Sequence, residues 1–196
     1  GFTSTELGKY YSIHPATICS ILKIRKIKRR SASECHKKYK INECFFDEIN
    51  REDKAYFLGL LFADGYISKK QNLIRICLQI EDKRILEDFC NALQYNKSLG
   101  IRKFSNKNWK DQSELAINNK HMKLSLERLG CTPCKSKTLQ FPNCLPKKFI
   151  KHFIRGYFDG DGSLRWTKIN KTNTIPSAVL SITSTLEFCK NIKNIL

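Results

Sequence analysis

The stretch FLGLLFADG, Phe57 to Gly65, returns 97 positions later as IRGYFDGDG, Ile154 to Gly162. Each copy is an apolar helical run closed by a small residue, an aspartate and a glycine. Small residues stand four apart in both: Gly59 and Ala63 in the first copy, Gly156 and Gly160 in the second. Residues at that spacing share one helix face, and a face without bulk lets two backbones approach closely. The repeat predicts two helices packed together through Gly59 and Gly156, with Asp64 and Asp161 delivered to the same end.

That end disfavours carboxylates. A helix C-terminus carries partial negative charge and orphan carbonyls, so an aspartate there loses about 0.3–1 kcal/mol. A hard divalent cation reverses the sign, because carboxylates and backbone carbonyls are the oxygen ligands that Mg²⁺ takes. Gly65 and Gly162 are expected to supply left-handed caps that turn the chain away. A lone Asp-Gly would read as a hairpin turn, but two copies in register, each behind a small-residue stripe, point to a metal site made from two helix ends. A calcium EF-hand loop is excluded, since a loop beginning at Asp159 would have Leu164 where the sixth-position glycine is required.

Both segments resemble the LAGLIDADG motif of homing endonucleases, and two copies imply the single-chain, pseudo-twofold form. The resemblance covers roughly residues 41 to 196. It implies an α+β fold of pseudo-twofold αββαββα repeats, with helices packed on antiparallel sheets. It also implies that Asp64 and Asp161 are catalytic and that the carbonyls of Ala63 and Gly160 complete metal binding. Divalent ions between the aspartates would then serve the scissile phosphates of both strands. Basic residues near the pocket usually assist in this family. Lys135 and Lys137, in CKSKTLQFP, are the candidates, although solvated connector lysines explain them equally well. The first copy departs from the pattern by carrying Phe62 where Asp159 stands in the second.

Between the motifs the order is two strands (YISKKQNLIRICLQI), a helix (EDKRILEDFCNALQ), two strands (GIRKF, SELAI) and a helix closed by Gly130. After Gly162 it restarts with two strands and one helix, so the second repeat is expected to be incomplete. The predicted divisions are a helix-turn-helix over 1–30, a basic linker over 31–54 leading into an amphipathic piece around CFFDEI, a first half over 55–130, a connector over 131–152 and a second half over 153–196. In the first of these, Leu7, Ile13, Ile18 and Ile21 fall at buried positions, Gly8 where helices approach, and Ser12 in the turn. The second helix is expected near Pro15, turning His14, Ala16, Thr17 and Ser20 outward toward a major groove. KIRKIKRR, Lys23 to Arg30, follows with six cations in eight residues, Arg25, Arg29 and Arg30 among them.

The 196-residue chain has 36 Lys and Arg against 18 Asp and Glu, a formal charge of +18. That excess, spread along the chain, selects a polyanion, double-stranded DNA first, as partner. The longest uncharged apolar run, Ala55 to Ala63, is nine residues, far short of the ~20 that span a bilayer, so no membrane partner is expected. A cytoplasmic monomer, or one in whatever organellar or viral compartment holds its target, is the implied state. In IRICLQI, alternation puts Arg75 and Gln79 on one strand face, which the resemblance assigns to the major groove, where Arg and Gln suit guanine and adenine. Arg102 and Lys103 are further candidates there, and Lys69 and Lys70 in a turn suit phosphates. Nine cysteines, with one CxxC at Cys131 and Cys134 and no second pair at zinc-ribbon spacing, read as reduced thiols. The function expected is a metal-dependent, staggered double-strand cut by an enzyme of an intron or other mobile element. A non-cleaving DNA-binding regulator and an RNA-splicing maturase of the same fold are the alternatives.

Overall fold

The computed structural model describes residues 2–28, 39–106, 109–167 and 177–196. They form two compact units, Gly1–Tyr39 and Lys40–Leu196.

In the first unit, α1 (Ser4–Tyr11) opens on a capping box in which Thr3 and Glu6 satisfy each other's backbone donors. Ser12 ends it in a left-handed conformation, φ 54°, and α2 (Pro15–Ile24) begins with proline in its first turn. The turn is therefore as the sequence predicts, but the buried set is smaller. Ile18 is buried and Leu7 half-buried, whereas Ile13 and Ile21 are 39% and 43% exposed. Gly8 is required for a different contact from the one expected. A Cβ there would lie 2.7 Å from the Ile13 carbonyl oxygen, against the turn.

The second unit is α+β. Helix α3 (Glu52–Asp64) leads into β1 (Tyr66–Ile67), β2 (Leu73–Gln79), α4 (Lys83–Ala92), β3 (Gly100–Arg102), β4 (Gln112–Asn118) and α5 (Lys120–Arg128). A connector then enters α6 (Ile150–Asp161), β5 (Gly162–Thr167), β6 (Ser177–Ile182) and α7 (Leu186–Ile195). The first sheet is antiparallel in the order β1-β2-β4-β3, and β5 pairs with β6 in a second. Thus the order αββαββα is complete counting from α3, and counting from α6 it is αββα among the described residues. Gly130, at φ 98°, turns the chain out of α5 in the conformation that glycine adopts without strain.

The alternation in β2 holds. Ile74 and Ile76 are buried on one face together with Leu115 and Ile117 of β4, where Leu86 and Phe89 of α4 and Met122 and Leu126 of α5 complete the core. Arg75, Cys77 and Gln79 face the other way beside Glu114 and Gln112.

Residues 31–38 of the predicted linker lie outside the described residues, but its end is core: Phe45, Phe46 and Ile49 are buried, and Phe45 and Phe46 pack on Phe89. The predicted connector is likewise core, with Leu139, Phe141, Leu145 and Phe149 buried.

Candidate active site

Helices α3 and α6 meet through their glycines. A Cβ on Gly59 would be driven into the carbonyl of Phe153 and lie 2.8 Å from the Tyr157 nitrogen. One on Gly156 would be driven into the carbonyl of Tyr56 and lie 3.1 Å from the Leu60 nitrogen. Phe153 and Tyr56, and likewise Tyr157 and Leu60, are the same positions of the two copies, so the contact is reciprocal about a pseudo-twofold axis. The motif's one irregularity follows the same axis. Phe62 packs edge-on against Phe153, ring centroids 5.1 Å apart, while Asp159 accepts a 2.8 Å hydrogen bond from the Tyr56 hydroxyl. One side of the seam is an aromatic pair and the other a polar pair, in equivalent places.

The glycines after the aspartates are not left-handed caps. Gly65 (φ −70°, ψ 140°) and Gly162 (φ −85°, ψ 158°) are extended, and each donates its N–H to the carbonyl four residues back, Leu61 or Phe158. Sterics select glycine here, because a Cβ would be driven into those same carbonyls.

At the shared end, Asp64 and Asp161 are both exposed. Asp64 opens to solvent on one side while protein crowds the other. Its pKa is raised, first by that partial burial and then by the charge of Asp161, with Lys135 opposing. Gly160 keeps the space between the helix ends open, since a Cβ there would lie 2.8 Å from Asp64 Oδ2. Two carboxylates that repel, beside helix-terminal carbonyls, form a hard oxygen donor set that fits Mg²⁺.

Lys135 belongs to this end. It is 8% exposed, in a short 3₁₀ turn (Lys135–Lys137), and its Nζ donates to the Ala63 carbonyl at 2.8 Å. Burial lowers its pKa against the pull of Asp161 and Asp64. The turn is anchored by Cys131, fully buried, whose thiol points at the Leu61 carbonyl at 3.6 Å. Lys137, two residues on, is exposed. A residue that sequence reasoning missed is Tyr157. Its hydroxyl bonds to Ser184 at 3.0 Å, and burial pushes its pKa up to about 12, with the Asp161 charge also raising it. The first copy has Leu60 at that position, so the repeat itself gave no signal.

From Asp64 a groove of about 430 Å³ runs over the sheet past Tyr66, Ser68, Gln71, Arg75 and Cys77 to Arg102. Glu114 lies between its two arginines, 3.7 Å from Arg75 Nε and 3.8 Å from Arg102 Nε. Gln79 shares this face, Lys103 follows β3 as an exposed residue, and Lys69 and Lys70 are exposed in the β1–β2 turn. In the N-terminal unit His14, Thr17, Ser20 and Arg25 are exposed, with the His14 ring bent back to accept from the Ala16 N–H. Arg29 and Arg30 lie outside the described residues. Among the described residues no helix is long and apolar enough to cross a membrane.

A glycine-sealed helix pair that carries a carboxylate from each member to one end, beside an antiparallel sheet, is the arrangement that the LAGLIDADG resemblance implies. Residues 51–130 match the family model described as a LAGLIDADG-like domain. The chain is 28% identical over 143 residues to the uncharacterized protein MJ0314 of Methanocaldococcus jannaschii, a match covering 68% of this chain and 49% of that protein. It is 26% identical over 113 residues to the DNA-directed RNA polymerase subunit Rpo1C of the same organism, covering 57% of this chain and 13% of the subunit. The chain thus spans half or less of these relatives. Among solved structures, the I-LtrWI LAGLIDADG homing endonuclease bound to target DNA is similar over 79% of this chain and 72% of that one, at 13% identity and a TM-score of 0.42.

Proposed function

We propose that this protein is a site-specific DNA endonuclease that cuts both strands at one target. The observation that carries the proposal is the convergence of Asp64, Asp161 and Lys135 at one end of the glycine-sealed helices. Within a fold, a carboxylate whose proton affinity is raised by burial and by a second carboxylate, beside a buried lysine, costs stability, and such groups cluster where chemistry is done.

Asp64 and Asp161, with the carbonyl of Gly160 and the free lone pair of Ala63, would hold Mg²⁺, as a carbonyl oxygen can accept twice. When bound, the ion supplies Lewis-acid stabilisation of phosphate charge and activation of water. The two carboxylates would hold it at the shared helix end. Lys135, fixed on the Ala63 carbonyl, presents a positive charge beside the place where phosphate charge develops. Tyr157 stays a neutral phenol at any physiological pH and positions the Asp161 side of the site. Arg75, Gln79 and Arg102 line the approach and suit base edges. Lys69, Lys70 and Lys103 suit phosphates, which fix register without reading sequence. The exposed face of α2, with His14, Thr17, Ser20 and Arg25, provides a second contact with DNA.

The test is cleavage of a plasmid that carries the natural insertion site, with and without Mg²⁺. Asp64→Asn and Asp161→Asn should each abolish cutting while leaving DNA binding within about threefold of the parent, since neither removes a basic contact. Either variant cutting at the parent rate would overturn the assignment.

A further inference from the structure

Away from the paired aspartates, Cys44, Asp47 and His121 bring one sulfur, one carboxylate oxygen and one imidazole nitrogen within 4.8 Å of one another. Cys44 and Asp47 come from the turn before α3, and His121 from the first turn of α5, 74 positions from Asp47 in sequence. His121 Nε2 lies 2.9 Å from both carboxylate oxygens of Asp47. Two further groups fix the aspartate. The Ser125 hydroxyl donates to its Oδ1 at 2.6 Å, and Arg128 Nη2 donates to its backbone carbonyl at 3.0 Å. Cys44 and His121 are exposed and Asp47 is half-buried, so the cluster is open to solvent on one side and braced on the other.

We propose that Cys44, Asp47 and His121 form a Zn²⁺ site that clamps the turn before α3 to helix α5, with water as the fourth ligand. The donor set argues for zinc. Thiolate, imidazole and carboxylate are zinc's ligands, and a sulfur donor is a poor match for magnesium. The paired aspartates offer oxygen alone, so the two places sort metals by chemistry. The dimensions agree as well. Zinc bonds of about 2.0–2.3 Å put tetrahedral ligand atoms about 3.3–3.7 Å apart. The ligand atoms all lie within 4.8 Å of one another, with the His121 nitrogen 2.9 Å from Asp47, so side-chain movements of about 1 Å reach that range. Ser125 is the kind of partner that orients a ligating carboxylate without touching the metal. Asp47 is held in place for ligation by the Ser125 hydroxyl on its carboxylate and Arg128 on its carbonyl. The Cys44 thiol releases its proton to solvent when zinc binds.

This site does not depend on the nuclease reading, and its test uses a different signal. Titration of the full chain with Co²⁺, a spectroscopic stand-in for Zn²⁺, should give a thiolate-to-cobalt charge-transfer band that saturates at one equivalent. Zn²⁺ should then displace the cobalt. Cys44→Ala should abolish the band. His121→Ala should weaken cobalt binding by about tenfold or more. Asp64→Asn should leave both unchanged. In thermal unfolding, Zn²⁺ should raise the Tm of the parent but not of Cys44→Ala, as expected of a ligand that binds only the folded state. Both replaced side chains are exposed, so the variants fold, which far-UV circular dichroism checks. No charge-transfer band in the parent, or a band that survives in Cys44→Ala, overturns the proposal.

Discussion

Helices α3 and α6 carry one motif and end the same way, yet they sit in unlike surroundings. Around α3, Phe57, Leu58, Leu60, Leu61 and Phe62 are all buried, so that helix is enclosed on every side. On α6 only the seam side is closed, by His152, Phe153, Gly156 and Tyr157. Ile154 and Phe158, which match Phe57 and Leu61, are half-exposed and line an apolar groove of about 630 Å³ with Leu180, Ile182, Cys189 and Ile192. Leu164, Trp166 and Leu180 on the sheet beside it are 58%, 68% and 67% exposed. The reason is what each half stacks on its motif helix. The first half supplies α4, α5, the Phe45–Phe46 turn and a four-stranded sheet, with Phe89 stacked on Phe57 at 4.3 Å. The second supplies β5, β6 and α7 among the described residues. The motif therefore dictates how the two helices meet each other, and the rest of each half dictates how much of each helix is stabilised.

The largest test of this difference is truncation at matched positions. Phe57→Ala removes a ring stacked in a closed core and should cost about 4 kcal/mol. Ile154→Ala removes a side chain that keeps solvent contact and should cost about 1–2 kcal/mol. Urea unfolding of both variants checks this, and equal losses would show that the halves are equally enclosed.

The seam should behave in the opposite way. Gly59→Ala and Gly156→Ala each drive a methyl into a carbonyl of the facing helix. Backbone cannot move aside as a flexible side chain can, so each should cost about 3 kcal/mol, the upper part of the overpacking range. The two losses should agree within about 1 kcal/mol because the contacts are reciprocal. A nearly neutral Gly156→Ala would break the pseudo-twofold axis.

How far these features could be read beforehand follows from their range along the chain. The small-residue stripes, the alternation of Arg75 and Gln79 against Ile74 and Ile76, the turn at Ser12 and the closing Gly130 are local patterns, and each stands as expected. The partners of Phe62 and Asp159 were not legible, because each is paired across the seam with a residue about a hundred positions away. The same is true of the Cys44–Asp47–His121 cluster. The extended conformation of Gly65 and Gly162 was missed for another reason: both a left-handed cap and a steric collision select glycine, and only coordinates separate them. The choice between Lys135 and Lys137 needed the position of Cys131, which points the turn inward.

The helix ends also differ, since Lys135 sits on the α3 end and Tyr157 by the α6 end. If the cation serves chemistry, Lys135→Met should lower the cleavage rate about 100-fold, in the range of a positioned catalytic group. Lys137→Met, at an exposed position, should change it by less than about threefold. Single-turnover cleavage of a preformed complex reads this without interference from binding. A reversal of the two effects would move the catalytic role to Lys137.

The smallest effects come from two carboxylates with opposite shifts, measured in metal-free solution. Asp47 is held low by Ser125 and His121, at about 2. Its contribution to stability is present above the unfolded value near 3.8 and disappears as pH falls through about 2. Asp64 is raised by burial and by Asp161. The folded state then binds that proton more tightly than the unfolded chain does, so Asp64 costs stability above pH 3.8 and relieves the cost as pH falls through its raised value. Solvent contact screens both, and each effect should amount to about 1 kcal/mol or less. Asp47→Asn should therefore be less stable than the parent at pH 7 and match it near pH 2. Asp64→Asn should be more stable at pH 7, the difference closing as the pH is lowered toward 4. A side chain whose loss stabilises the fold is not there for the fold, so a stabilised Asp64→Asn would separate the two carboxylates by purpose: Asp47 holds the first half together, and Asp64 is kept for what it can bind.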